Sequence, residues 1–537
     1  MASTAFNWAI LTIAAARLAR VGVLLTMFAA APGLIAFAAA DEMVAAASAS
    51  ESEFVLSDPE AGEPFSPFYV SAAPEPLPPT DGGRENASGD PAAEDAPTAT
   101  ARPSSPEIEA LLQRIEALEA AAEGAAAEEQ PAEKPAEEKK DPLAGWTDMS
   151  TDKWTVKLGG HMQADFIHWA DTDPAIGAAP AGATARDYFE FRRLRLLEDG
   201  TGYGVYDFRL QVDFEPESGD GVTTPVTDIK DAYFTLNELP GNHRWRIGNF
   251  FVPFSLEQVT NDTNNIFMER SIPTQGIFAA DREVGMAVYG VNDSKDFSWT
   301  GGVFLDSISE SLKERIDDNQ GHRLSGRLTW LPYYDEPSNG RYLLHTGCGI
   351  LYTADQNDSV QFRARPQIHE GPFLIDSLGL NAGSYTTGNV EVATVWGPVS
   401  IQSEAFLSDV NFIGAPSQNC YGAYVYGSYF LTGENRIYER VGQHGAQFAR
   451  NVPFTNVFWV PGCHGWGAWE AKCRWSNLTL TDVGRGEYND ITTGFNWYWS
   501  DRVRCMFDWI HPVTEAGTSP FGATTSDIIA IRFDFNF

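Results

Sequence analysis

The sequence lacks the short motifs that mark most enzymes and metal proteins. It has only five cysteines in 537 residues, and they form no C-x-x-C pair and no Cys/His spacing suited to zinc. Neither G-x-S-x-G nor H-E-x-x-H occurs, and the nine histidines lie in no obvious nucleophile setting. We therefore predict no catalytic residue, no metal ligand and no cofactor.

Basic residues are also scarce. The chain has 37 Lys and Arg side chains against 73 Asp and Glu, which gives a formal net charge of -36. The acidic excess is present both in residues 41–145 and in residues 146–537. A nucleic-acid-binding surface requires a dense basic stripe, so we expect no nucleic-acid partner.

Long apolar runs are confined to the N-terminus. Arg17 and Arg20 precede an apolar run from Val21 to about Ala40 that ends in small residues before Asp41. This pattern is typical of a cleaved export signal, so residues 1–40 are predicted to be a signal peptide. A membrane anchor is the alternative, because the run approaches spanning length. From Trp146 onward no comparable run occurs.

Residues 41–145 form an acidic arm rich in Pro, Ala and Glu, which we predict to be disordered because it cannot bury enough apolar surface. One stretch within it, residues 107–123, has apolar side chains at heptad positions. These are Ile108, Leu111, Ile115, Leu118 and Ala122. Two heptads are too short for a stable solitary helix, so a coiled coil between copies and a simple amphipathic helix both remain open.

Residues 146–537 show period-two alternation of apolar and polar side chains, which is typical of β-strands. The last strand is the clearest case. Ile529, Ile531, Phe533, Phe535 and Phe537 share one face, while Ile528, Ala530, Arg532, Asp534 and Asn536 share the other. The alternation predicts an all-β fold with one polar and one apolar side.

The length of this region separates two folds that share such strands. A soluble sandwich is one alternative, but a region of this length without a domain break is large for a sandwich. A closed antiparallel transmembrane β-barrel of about 16 strands suits it better, with the apolar face toward lipid and the polar face toward the lumen. Outer-membrane lipids and small hydrophilic solutes or ions are the partners that this fold predicts.

The cysteines fall into two groups by their position in this pattern. Cys348, Cys473 and Cys505 share faces with large apolar residues and are predicted to face lipid. Cys420 and Cys463 lie in loop-like Gly/Pro surroundings. A disulfide between these two is left open by the sequence.

Several segments resemble, in the same order, the phosphate-selective porin O and P family. They are F-E-F-R-R-L-R-L-L-E-D-G at Phe189–Gly200, R-I-G-N-F-F-V-P-F-S-L-E at Arg246–Glu257, F-M-E-R-S at Phe267–Ser271, Y-F-L-T-G-E-N-R-I-Y at Tyr429–Tyr438, G-A-W-E-A-K-C-R-W-S at Gly467–Ser476 and G-F-N-W-Y-W-S-D-R-V-R at Gly494–Arg504. The resemblance covers nearly all of residues 146–537. It implies a sixteen-stranded outer-membrane barrel, usually a homotrimer, with a lumen narrowed by an infolded loop.

The resemblance further implies that Arg and Lys side chains in the lumen pass anions, because guanidinium groups offer forked donors to phosphate. Alternation directs seven candidates inward: Arg193, Arg195, Arg209, Arg323, Arg327, Lys472 and Arg474. The alternative is that they are neutralised by equally inward carboxylates such as Asp207, Asp213 and Glu470. The acidic excess of the chain favours this alternative.

The long irregular segment between Phe254 and Gly285 is the predicted constriction, because loops of that size are usually functional. Ile266, Phe267, Met268 and Ile277 are predicted to anchor it inside the barrel. Its candidates for contact with solute are Asp262, Glu269, Arg270, Asp281 and Arg282. An outward lid is the alternative.

Taken together, these features predict an outer-membrane porin for passive diffusion of small hydrophilic solutes or ions, with phosphate or other anions among the possible solutes. An outer-membrane anchor or tether with a structural role is the alternative function, in which the arm holds a periplasmic partner.

Overall fold

The computed structural model describes residues 153–177, 185–219, 222–225, 227–275, 277–305, 321–355 and 357–537. The predicted signal peptide at 1–40, acidic arm at 41–145 and heptad helix at 107–123 lie outside these ranges. Within the ranges, no helix has both the length and the apolar character needed to cross a membrane.

The described chain is almost entirely β-structure. Its strands are β1 (Trp154–Thr172), β2 (Tyr188–Gly202), β3 (Tyr206–Asp213), β4 (Pro216–Gly219), β5 (Val222–Pro225), β6 (Asp228–Leu239), β7 (His243–Phe251), β8 (Arg282–Val291), β9 (Phe297–Leu305), β10 (His322–Tyr334), β11 (Tyr342–Ala354), β12 (Ser359–Val360), β13 (Arg363–Ala364), β14 (Ile375–Asp376), β15 (Leu380–Trp396), β16 (Val399–Phe412), β17 (Gln418–Phe430), β18 (Tyr438–Gly442), β19 (Gly445–Phe448), β20 (Ala468–Thr479), β21 (Glu487–Tyr498), β22 (Val503–Thr514) and β23 (Thr524–Asn536). The helices are one turn long: Pro174–Gly177, Leu256–Val259, Asp262–Asn264 and Glu336–Ser338.

Sixteen of these strands form the wall of a closed antiparallel barrel. Each pairs with the next wall strand along the chain, and β23 pairs back onto β1, with Phe166 opposite Ile531. The others are β12, which extends the edge of β15, and the small pairs β4–β5, β13–β14 and β18–β19. The predicted fold and strand number are confirmed.

The two ends of the barrel differ in their connections. At one end, which we call the turn rim, short turns join strands at residues 203–205, 240–242 and 397–398. At the other end, the loop rim, longer segments include residues 252–281 and 355–379. Both β1 and β23 have their free ends at the turn rim, because Asn536 pairs with His161 near the start of β1.

The wall has an apolar outside and a polar inside, as the alternation predicts. In the last strand, Phe533 and Phe535 are 44% and 39% exposed, whereas Arg532 and Asp534 are 1% and 0% exposed. The Phe537 backbone exchanges two hydrogen bonds of 3.1 Å with Gly160 in β1. The ring of Phe537 covers Gly160, where a Cβ atom would collide with it. The final residue thus helps to close the barrel.

One irregularity changes which side chains reach the lumen. Gln163 pairs with Arg193 and Ala164 with Phe191, so Arg192 is an extra residue in β2 opposite β1. Such a β-bulge bends the strand and breaks its alternation. Both Arg192 and Arg193 therefore make contacts inside the barrel, whereas strict alternation predicts only Arg193 there.

All five thiols are free. Cys420 and Cys463 do not form the disulfide that the sequence left open, because Cys420 lies on β17 toward the loop rim and Cys463 follows that strand beyond the turn rim. Cys348 and Cys473 are exposed on the outer face of the barrel, as predicted, and Cys505 is half-buried.

Candidate functional site

The lumen is narrowed by two segments that enter it from opposite rims. Residues 252–281, which we call the loop segment, connect β7 to β8 and fold in from the loop rim. Residues 431–451, the turn segment, follow β17, contain the β18–β19 hairpin and fold in from the turn rim. The predicted constriction between Phe254 and Gly285 matches the first, and its infolded arrangement is the one observed.

The first half of the loop segment is fixed to the wall by a carboxylate. Glu404 on β16 accepts backbone N–H groups from Leu256 at 3.1 Å and Glu257 at 2.8 Å. These N–H groups have no partner within their own helical turn, so Glu404 completes their hydrogen bonding. Ser255 caps the same turn by accepting the Gln258 N–H at 3.3 Å.

The middle of the loop segment lies against β20 and β22, which are on the far side of the barrel from β7, where the segment begins. There, its carbonyl oxygens accept hydrogen bonds from cationic side chains of β20 and β22. Lys472 donates to the Ile266 carbonyl at 2.8 Å, and Arg504 donates to the Asn265 carbonyl at 2.7 Å. Because it begins at β7 and reaches β20, eight wall strands away in a barrel of sixteen, the loop segment spans the lumen.

Apolar side chains pack the loop segment into the barrel. The four predicted anchors are all buried: Ile266 and Phe267 are 2% exposed, and Met268 and Ile277 are 5% exposed. Phe278 adds a stacked contact with Phe406 of β16, at 6.1 Å between ring centroids. This core lies inside the barrel.

The charged residues of the loop segment meet arginines of the wall. Asp262 lies within 3.2 Å of Arg193, 2.9 Å of Arg195 and 2.8 Å of Arg270. Burial alone would raise the pKa of Asp262, but Arg193, Arg270 and Arg195 hold it well below its usual range. The arginines that surround Asp262 therefore favour its ionised form.

Glu269 forms a second such cluster. Its carboxylate accepts hydrogen bonds from Arg192 at 2.9 Å and from Arg532 at 2.8 Å. The pKa of Glu269 also lies well below its usual range, because Arg192, Arg532 and Arg193 outweigh the effect of burial. The other two residues predicted to contact solute lie apart from these clusters. Arg282 pairs with Asp231 at 2.8 Å, and Asp281 is exposed.

The seven predicted lumen cations all lie on the inner face, and each contacts a carboxylate. The pairs are Arg193–Asp262, Arg195–Asp213, Arg209–Asp199, Arg323–Glu283, Arg327–Glu391, Lys472–Asp508 and Arg474–Glu257. Of the three wall carboxylates expected from the sequence to neutralise these cations, only Asp213 is such a partner. Asp207 instead binds Thr201 and Asn237, and Glu470 binds Asn496 and Tyr498.

The turn segment is the part of the site that sequence reasoning missed. Its hairpin is held by wall cations, since Arg246 donates to the Gln443 carbonyl and Arg327 to the Ala446 carbonyl, both at 2.9 Å. The hydroxyl of Tyr438 lies 2.7 Å from Nδ1 of His345. The signal that could have found it is length, because 37 residues separate β17 from β20 at a rim of otherwise short turns.

A cavity lies where the two segments face each other. This cavity of about 460 Å³ is lined by Asn261 and Asn264 of the loop segment, Gln447 of the turn segment, and Arg209 and Arg246 of the wall. Its lining is polar and carries both signs of charge. Charged groups of both signs therefore line the lumen at this cavity.

Comparisons with known proteins agree with the fold. The family model of phosphate-selective porin O and P matches residues 156–537. No curated protein matches the chain closely enough to count as a relative.

Solved structures with a similar fold are outer-membrane barrels. A trimer form of OmpT from Vibrio cholerae is 11% identical, with a TM-score of 0.44 over 72% of this chain and 100% of its own. The anion-selective porin from Comamonas acidovorans is 11% identical, with a TM-score of 0.42 over 72% and 100%. The channel DcaP of Acinetobacter baumannii is 10% identical, with a TM-score of 0.42 over 72% and 99%.

Proposed function

The chain belongs to the phosphate-selective porin O and P family, and from that premise we propose that it is a weakly selective diffusion pore that does not single out phosphate. It is an outer-membrane porin, a channel for passive diffusion of small hydrophilic solutes. Selectivity among those solutes is decided by the charges along the lumen, and these can be read from the ion pairs.

The observation that carries the proposal is the pairing of the lumen cations. An Arg that already donates to a carboxylate has fewer free N–H groups for a phosphate oxygen, and its charge is compensated locally. Arg327 is the clearest case, since it lies 2.7 Å from Glu391 and both side chains are almost fully buried. A phosphate would have to displace this carboxylate to bind there.

The sum of buried charges supports the same proposal. Among the described residues, fourteen Asp and Glu are buried, against eleven Arg and Lys. Carboxylates close to the ion path attract cations, and salt weakens that attraction over about 10 Å at 0.1 M. Local arginine clusters and the overall acidic field therefore oppose one another, which favours weak selectivity.

Zero-current potentials in planar bilayers test the proposal. Under a potassium chloride gradient we expect a small potential that shrinks further as salt rises. A large potential of the anion-selective sign would contradict a weakly selective pore.

Phosphate specificity has its own test. We expect inorganic phosphate to leave the chloride current of the unmodified protein without a saturable block. A saturable block that Arg323→Ala or Arg327→Ala abolishes, while chloride conductance persists, would show a phosphate site and overturn the proposal.

We further propose that three copies associate, as the family resemblance implies, and that the arm projects into the periplasm. In outer-membrane barrels the short turns face the periplasm, and β1 begins at the turn rim, so the start of the described chain is on the periplasmic side. Crosslinking in intact membranes should give trimers. Leu111→Ser, in the 107–123 heptads, should leave them intact because two heptads contribute little. A purely monomeric pattern would contradict the assembly.

A further inference from the structure

Between the turn segment and β20 lies a stretch with unusual composition. Residues 452–467, which we call the girdle segment, read V-P-F-T-N-V-F-W-V-P-G-C-H-G-W-G. They contain no Asp, Glu, Lys or Arg, in a chain whose formal net charge is -36. Four large aromatic residues occur among these sixteen positions. This composition is unlike that of a loop exposed to water.

The girdle segment leaves the lumen and lies against the outside of the wall at the turn rim. The Val457 N–H donates to the Trp499 carbonyl at 2.9 Å, and the Trp497 indole N–H donates to the Trp466 carbonyl at 2.7 Å. Trp459 packs edge-on against Trp499, with 4.9 Å between ring centroids. These contacts fix the segment to the end of β21.

The aromatic rings of the segment continue those of the lipid-facing wall. Trp459 also contacts Trp497, which stacks on Trp469 of β20 with centroids 5.0 Å apart. Trp499 in turn contacts Phe533 on the outer face of β23. The girdle segment is thus joined, ring to ring, with a surface that faces the bilayer.

The outer side of the segment is apolar and uncovered. Phe454 and Trp466 are 65% and 66% exposed, and Phe458 and Trp459 are 51% and 48% exposed. Burying such rings contributes roughly 25 cal/mol for each Å² removed from water. At the rim of a barrel, the adjoining lipid would bury an uncharged apolar surface of this kind.

We propose that the girdle segment lies in the periplasmic leaflet of the outer membrane, at the boundary between phospholipid headgroups and acyl chains, as a membrane contact outside the barrel wall. Tryptophan is enriched at this depth, since its ring is apolar and its indole N–H is polar. The turn rim faces the periplasm, which sets the leaflet. Association with a second copy of the chain is the competing arrangement that the test must separate.

Cys463 provides a native labelling position inside the segment. In full-length protein carrying Cys348→Ala, Cys473→Ala and Cys505→Ala, a nitroxide is attached to Cys463, which is partly exposed, whereas Cys420 is buried and stays unlabelled. The matched control carries Cys463→Ser and Asp501→Cys, the latter in the neighbouring turn of the same rim. Both proteins are placed in vesicles of phosphatidylethanolamine and phosphatidylglycerol.

Collision of the nitroxide with oxygen, which concentrates in lipid, is compared with collision with a water-soluble nickel chelate. We expect collision with oxygen to exceed collision with the nickel chelate severalfold at position 463. At position 501 we expect collision with the chelate to be the more frequent. Preference for the chelate at 463 would place the segment in water and overturn the proposal. Low access to both reagents would place the girdle segment against protein and would also overturn the proposal. Dipolar broadening of the nitroxide spectrum would then indicate a second copy of the chain.

A second variant tests the rings themselves. The double variant Phe458→Ser, Trp466→Ser should raise nickel-chelate access at Cys463 severalfold. The barrel should keep the heat-modifiable electrophoretic mobility that shows it is folded. Unchanged access in a folded barrel would show that these rings do not hold the segment in the bilayer.

Discussion

The side-chain amide of Asn264 donates a hydrogen bond to the backbone carbonyl of Phe448 at 3.3 Å. Asn264 belongs to the loop segment and Phe448 to the turn segment, so this contact joins two pieces of chain that enter the barrel from opposite rims. The lumen is therefore narrowed where these segments meet, and each is held to a different part of the wall.

Removing the hairpin should widen the pore. We expect replacement of residues 438–448 by a short Gly-Ser linker to raise single-channel conductance, because the hairpin occupies lumen cross-section beside Arg246 and Arg327. The same linker in place of residues 413–417, an exposed loop, is the control and should leave conductance unchanged. Equal conductance of both variants would mean that the ion path does not pass the hairpin.

Breaking one buried ion pair should shift selectivity toward anions. Glu391→Gln leaves Arg327 without its carboxylate and also removes a partner of His345, whose Nε2 lies 3.0 Å away. Loss of one partner of a buried pair costs about 3–5 kcal/mol, so a lower unfolding temperature should accompany the change in zero-current potential. Glu336→Gln, at a residue whose side chain is 65% exposed beside Arg440, should alter neither. An unshifted potential with a folded Glu391→Gln barrel would contradict the compensation of charge by pairing.

Loosening the loop segment should make the current noisier. The Leu256 and Glu257 N–H groups donate to different oxygens of Glu404. In Glu404→Gln one of these oxygens becomes an NH₂ group, which only donates, so one of the two N–H groups loses its acceptor. We expect frequent brief closures in single-channel records. Asp409→Asn is the matched control, because Asp409 lies exposed on the same strand, and it should leave the current quiet. Quiet records from both variants would show that Glu404 does not hold the segment.

The loop segment should stay in place in moderate acid. A carboxylate whose pKa is lower in the folded state contributes stability that is complete above its unfolded pKa, about 3.9 for Asp, and is lost as pH falls toward the folded value. The pKa of Asp262 is held well below that range by its arginines, against the effect of burial. Conductance should therefore persist from pH 7 to about 4.

Limited proteolysis of the loop segment over the same pH range is the companion measurement. Protection should be constant in the unmodified protein and weaker at every pH in Asp262→Asn, which lacks the anion between Arg193 and Arg270. Loss of protection in the unmodified protein near pH 5 would contradict the lowered pKa.

Local patterns in the sequence determined the barrel and much of its orientation. Alternation along residues 526–537 identified the inner and outer faces of the last strand, because side chains of a strand point to opposite sides. Length and apolar content identified the loop segment, and the Arg195–Asp213 pair could be anticipated because adjacent strands bring their inward residues together. Each of these inferences needs only neighbours in sequence or in a hairpin.

Other features were decided only by the tertiary structure. Barrel closure places Asp165 beside Arg532, 367 positions apart in the chain, and infolding places Glu404 under the backbone of Leu256. The bulge at Arg192 reverses a side chain that alternation would send outward. No sequence period encodes such contacts, since they depend on the curvature of the closed wall and on how two long segments share one lumen. The charge that a solute meets is therefore a property of the folded lumen, where pairing cancels most of the arginine charge that the sequence displays.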